Sequence, residues 1–107
     1  MSITLNIIVT HPEEATLFVD SSPENKIKVE EYNRQVAALE GFVSQNTTTI
    51  SNTIFEQALT FDNLSNFQSF LIFEQNQPIY KERGQYNRQN NIVGARTMID
   101  NSTGNPI

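Results

Sequence analysis

Between Ser22 and Asn46 the chain carries its larger apolar side chains at Val29, Tyr32, Val36, Leu39 and Val43, spaced three, four, three and four residues apart. That period belongs to a helix with one apolar stripe and to the seam of a heptad repeat. The start signals agree with it. Ser22 is a good N-cap, because its hydroxyl accepts from a free N–H of the first turn. Pro23 falls at the first helical position, where a missing N–H costs nothing. Glu24 places a negative charge at the positive end of the helix dipole. Asn46 and Ile50 extend the seam, and Ile54 leaves it, since Thr53 holds the next seam position. A polar Asn layer is a device that fixes register and strand number in coiled coils.

Two readings of this stretch stay open. One is a seam between subunits, with Val29, Tyr32, Val36, Leu39, Val43, Asn46 and Ile50 at an oligomer interface. The other is an amphipathic helix of one domain lying on a sheet. A coiled coil needs three to four sustained heptads, which puts this stretch at the margin. Gly41 is expected on the outward face, at a cost of about 1 kcal/mol within a helix. Thr47, Thr48 and Thr49 are stiff at χ1 and favour a helix end near Asn46.

The remaining segments read as strands and connections. Ile3, Leu5, Ile7 and Val9 alternate with Thr4, Asn6 and Ile8, the pattern of a half-buried strand. Thr16 to Val19 has strand composition, and the two are expected to pair as an N-terminal hairpin around His11 and Pro12. From Asn46 to Leu64 helical spacing competes with strand chemistry, so a broken helix or irregular segment is expected. Phe67 to Phe73 reads as a strand that turns at Gln75–Pro78 into Ile79–Lys81, with a short helix capped by Asp62 or Ser65 as its rival. Gly84 to Asn91 reads as a polar loop. Ile92 to Ile99 reads as a last strand, with Gly94 as a possible bulge. The expected fold is α+β: an N-terminal β-hairpin, one long central amphipathic helix and C-terminal antiparallel strands. Residues 1–100 form a single domain on this reading and 101–107 a C-terminal tail.

Composition narrows the function classes. The formal net charge is −5, which gives no general attraction for nucleic acid or anionic lipid. There is no cysteine, so disulfides, thiol nucleophiles and cysteine metal sites are excluded. Ser2 to Val9 is too short and interrupted for a signal peptide or a membrane span. His11 is the single histidine and has no ligand partners at metal-site spacing, so it is read as a loop residue. Glu30 and Glu31 point about 100° apart on a helix and with Glu40 are read as a solvated face. No Gly-x-Ser-x-Gly elbow and no glycine-rich phosphate loop occurs. Lys81, Arg83, Arg88 and Arg96 cluster late in the chain with Tyr80 and Tyr86 among them. The overall negative charge turns that cluster away from nucleic acid and toward solvent or the acidic first half, where Glu13, Glu14, Asp20, Glu24, Glu30 and Glu31 lie.

The seam from Val29 to Val43 with its polar Asn46, and the run Gln45-Asn46-Thr47-Thr48-Thr49, resemble small bacteriophage virion proteins such as fibre, tail-attachment or capsid-decorating subunits. The resemblance covers about a third of the chain. It implies a non-enzymatic structural subunit that assembles with itself, as a trimer, and with other structural proteins, located in the virion, or in the cytoplasm if the source is not a phage. It implies no catalysis, and beside it the residues and the charge lead to no expected cofactor, metal, nucleic acid or membrane. The alternative is a small acidic monomeric binding module or adaptor for a basic protein partner, steered by the acidic half.

Overall fold

Eight consecutive residues of alternating pattern, Ile3–Thr10, form β1, the centre of the molecule's only sheet. The computed structural model describes all residues from Met1 to Ile107. A loop and a single 3-10 turn, Phe18–Asp20, lead into α1, Pro23–Ala37. Then come β2 (Phe42–Thr49), β3 (Ile54–Phe61), α2 (Leu64–Gln75), α3 (Pro78–Gln89), β4 (Val93–Asp100) and the two-residue β5, Asn105–Pro106. The strands lie in the order β2-β3-β1-β4-β5, and every neighbouring pair is antiparallel. A β-α-β-β-α-β chain with its first strand central and its helices on one face is the ferredoxin-like arrangement.

The period of two in β1 decides which face is covered. Ile3 and Leu5 are buried and join Leu59, Phe61, Val36, Phe67 and Phe70 in one cluster beneath α1 and α2. Phe61 is its hub, stacked on Phe70 with ring centroids 5.0 Å apart and touched edge-on by Phe42. Thr4, Asn6 and Ile8 point to the opposite face. The register aligns them with Thr60, Ala58 and Glu56 of β3 and with Ile99, Thr97 and Ala95 of β4. None of the helices covers that face.

Several expectations are corrected. The single long helix does not form: α1 ends at Ala37, and Ala38 caps it by donating to carbonyls of the last turn. Gly41 is not helical. It adopts φ 82° in the turn that redirects the chain into β2, a left-handed conformation that glycine reaches without a steric penalty. Val43 and Asn46 therefore lie on a strand, where the β-branched Thr47–Thr49 run also belongs. The N-terminal hairpin is absent too. Thr16 and Leu17 precede the 3-10 turn, and β1 pairs instead with β3 and β4, which match it over all eight residues. Phe18 is buried by packing edge-on against Tyr86 rather than in a sheet.

The expected C-terminal hairpin is replaced by two helices. Asn63, rather than Asp62 or Ser65, caps α2 by accepting from the backbone N–H of Asn66 at 2.8 Å. Phe67 and Phe70 then share a face three residues apart, as helical spacing allows. Pro78 starts α3 from the first turn, and α3 runs on through the segment read as a polar loop. Gly94 makes no bulge: β1 and β4 pair without interruption, and the one irregularity lies in β2 between Phe42 and Ser44. Asn105 and Pro106 pair with Asp100 and Ile99 at the sheet edge.

Candidate functional site

The same face of the sheet that packs the core at one end is open at the other. Along β1 the inward residues pass from Ile3 and Leu5 in the core to Ile7 and Val9. Along β3 they pass from Phe61 and Leu59 to Gln57 and Phe55, and along β4 from Met98 to Arg96 and Gly94. Beyond this second half of the sheet α1, the 3-10 turn and α3 stand back, and a cavity of about 660 Å³ lies between them. That volume is within the range of small-molecule sites.

Glycine keeps part of that space free. A Cβ on Gly94 would meet nothing closer than Ile7 Cγ2 at 3.5 Å, and one on Gly84 nothing closer than Arg88 Nη1 at 3.5 Å. Both positions line the cavity. Gly84 sits within α3, where glycine costs about 1 kcal/mol relative to alanine.

Twelve of the 21 lining residues are hydrophobic, and among the others Glu74, Arg96 and Arg83 lie near Tyr32 on one wall. Glu74, at the end of α2, accepts from Arg96 Nη2 at 2.8 Å, and its side chain is 12% exposed. Tyr32 from α1 stacks on Phe73 and has the Glu74 carboxylate beside it. Burial first, and the Glu74 charge second, push the Tyr32 phenol well above its ordinary value, so it remains a neutral hydroxyl. Arg83 projects from α3 with its guanidinium 5.8 Å from the centre of the Phe18 ring. Burial lowers its pKa, opposed by the nearby Tyr32 and Glu74. The chain's two ion pairs are Lys28–Glu82 and Arg96–Glu74, and Arg83 belongs to neither. The wall thus holds one carboxylate, one neutral phenol and a half-buried guanidinium without a carboxylate of its own.

The residues singled out from the sequence scatter over three places. Val29 and Tyr32 line the cavity. Val36 is in the core, with Leu39 packed against it. Val43, Asn46 and Ile50 are exposed, on β2 and just beyond it. The late basic cluster does not meet the acidic first half: none of Glu13, Glu14, Asp20, Glu24, Glu30 or Glu31 forms an ion pair with it. Instead Lys81, Arg83, Arg88 and Arg96 all line the cavity. Glu74 and Phe18 went unnoticed in the sequence, since no local motif marks them. His11 lies outside this wall, its Nδ1 beside the Pro12 carbonyl at 2.8 Å. No three His, Asp or Glu side chains converge as metal ligands do. No helix is long and apolar enough to cross a membrane.

No family model and no curated protein sequence matches the chain. Solved structures do. A single-site variant of SnoaB, a cofactor-independent oxygenase from Streptomyces nogalater, superposes with a TM-score of 0.60 over 92% of this chain and 91% of that one, at 13% identity. A second SnoaB structure gives 0.58 over the same shares, at 12% identity. The chain shares the fold of these oxygenases over 92% of its length. This corrects the expected architecture, and it overturns the reading as a non-enzymatic virion subunit or an acidic adaptor, together with the absence of enzymatic activity that went with it. The virion reading rested on a helical seam that stops at Ala37, and the adaptor reading on an acidic half that makes no ion pair with the late basic cluster.

Proposed function

We propose that this protein is a cofactor-independent oxygenase acting on an apolar, ring-containing carbon acid held in the cavity. The observation that carries this reading is the cavity itself, on this fold: most of its lining is hydrophobic, and Glu74, Tyr32 and Arg83 lie near one another within it. Ground-state dioxygen has two unpaired electrons and reacts slowly with closed-shell molecules. Without a flavin or metal the substrate must supply the first electron, and it does so most readily as its conjugate base. A site for this chemistry needs a proton acceptor, a cation to stabilise the anion and a dry apolar enclosure.

Glu74 is the one carboxylate in the lining and takes the substrate's C–H proton. The carbanion, delocalised as an enolate, lies against Arg83, whose charge is worth more in a water-poor site than in bulk. One electron passes to dioxygen, and the substrate radical and superoxide combine as a C–O bond. The resulting peroxide takes up a proton. Loss of the second hydrogen from the same carbon then breaks the O–O bond, releases water and leaves a C=O group. Tyr32, held as a neutral phenol, is a donor to the developing oxygen anion.

The test uses a panel of aryl ketones with an acidic methylene, chelator-treated protein and oxygen labelled with the heavy isotope. Expected are protein-dependent oxygen uptake and one labelled atom in the product. Arg83→Gln and Glu74→Gln are each expected to lower kcat by about 10²–10³, the effect of removing one charge-stabilising or proton-accepting group. Oxygen uptake no faster than in buffer, across a panel of such ketones, would overturn the reading.

We propose also that two copies meet through the uncovered face of the sheet. Four eight-residue strands present roughly 500 Å² per copy, so a pair buries about the minimum for a specific interface. Glu56 is the one charged side chain among the outward positions of β1 to β4. A face of that size with a single charge on an otherwise acidic chain suits a second copy of itself.

A further inference from the structure

The distribution of positive charge carries a statement about the substrate that the oxygenase reading leaves open. The chain has seven lysines and arginines against twelve acids. Four of the seven, Lys81, Arg83, Arg88 and Arg96, line this cavity, with Glu74 the only acid among its lining residues. Arg96 is neutralised by Glu74. Arg83 lies inside, half-buried over Phe18. That leaves Lys81 and Arg88, both exposed, both lining residues and neither in an ion pair, which places them at the rim.

Their positions on α3 form a pattern. Lys81, Gly84 and Arg88 are spaced three and four apart and so lie along one helix face. Gly84 removes the side chain between the two cations, and Arg88 Nη1 stands 3.5 Å from where its Cβ would be. The rim is thus a helix face that carries two positive charges outside any ion pair, with the Arg88 guanidinium lying over Gly84. Two like charges on one helix face repel one another, yet neither Lys81 nor Arg88 is paired with any of the chain's carboxylates.

We infer that the substrate is an amphipathic organic anion: an apolar ring body that enters the cavity, and a permanently ionised carboxylate or sulfonate-like group that stays at the Lys81–Arg88 rim. This rests on the proposed function and adds a second, pre-existing charge to the one created by deprotonation at Arg83. The rim group orients the body, so that the acidic carbon faces Glu74 and not the solvent. It also steers the substrate to the cavity against the repulsion of the acidic surface.

Two fluorescent probes with the same aromatic body test the inference: 1-anilinonaphthalene-8-sulfonate and the uncharged N-phenyl-1-naphthylamine. In low salt the sulfonate is expected to bind about tenfold more tightly, as two charge-assisted contacts allow. High salt and the double variant Lys81→Gln/Arg88→Gln are each expected to erase that preference and leave the neutral probe unchanged. Gly94→Val fills the cavity floor next to Ile7 without a forced backbone and is expected to weaken both probes. Equal affinity for the two probes in the unmodified protein would overturn the inference while leaving the oxygenase reading intact. Binding of neither probe, or binding indifferent to Gly94→Val, would remove the cavity as a ligand site and overturn both.

Discussion

Tyr32 is the residue at which sequence and structure part most clearly. As a seam position it is an apolar contact; in the fold it is a polar donor set into an apolar wall. Its side chain is partly buried and lies beside Glu74, so ionisation is opposed twice. The consequence is a defined pH dependence. A tyrosine in the unfolded chain ionises near pH 10, while in the folded state it holds its proton to higher pH. The stability this contributes is complete below about pH 10 and is lost as pH rises from there through the folded value. Alkaline titration is therefore expected to show a steeper fall in stability for the unmodified protein than for Tyr32→Phe, with one phenolate band appearing only as the fold is lost. Equal slopes would show that the hydroxyl is already solvated. No sequence pattern predicts this environment, because Glu74 and Tyr32 are brought together only by the packing of α2 on α1.

At the scale of elements, the start of α1 was legible and its end was not. Ser22 accepts from the Asn25 backbone N–H at 3.1 Å and Pro23 opens the first turn, both as the local residues dictate. The end depends on Gly41, whose left-handed φ makes the corner between α1 and β2. Asp62 and Asn66 close over it, and a Cβ there would stand 2.7 Å from that of Asn66. Gly41→Ala is expected to cost about 2 kcal/mol or more, combining the forbidden backbone region with the clash. Chemical denaturation measures it, and a loss under about 0.5 kcal/mol, the range of an inert surface change, would refute the account. Phe67 to Phe73 failed for another reason. A short apolar run has no readable period, and the decision for helix was made by the Asn63 cap and by burial of Phe67 and Phe70 against Phe61.

At the scale of the whole molecule, a one-sided layer of helices on a sheet leaves the other sheet face to solvent or to a partner. Sedimentation at micromolar concentration is expected to give a species of twice the 12.2 kDa chain mass. Thr97→Glu sets a charge at the centre of the bare face and is expected to return it to one chain. A monomer at every concentration would exclude the pairing. The chain by itself determined local matters: the alternation of β1, the cap that starts α1, the strand character of residues 92–99 and the exclusion of thiol and phosphate-loop chemistry. These depend on neighbours a few residues apart, whose effects short-range sterics and hydrogen bonding decide. Only the tertiary structure broke the apparent heptad at Gly41, turned two expected strands into helices and gathered Lys81, Arg83, Arg88 and Arg96 around an apolar hollow with Glu74. A cavity is what packing leaves unfilled between elements distant in sequence, and no periodicity along the chain encodes it.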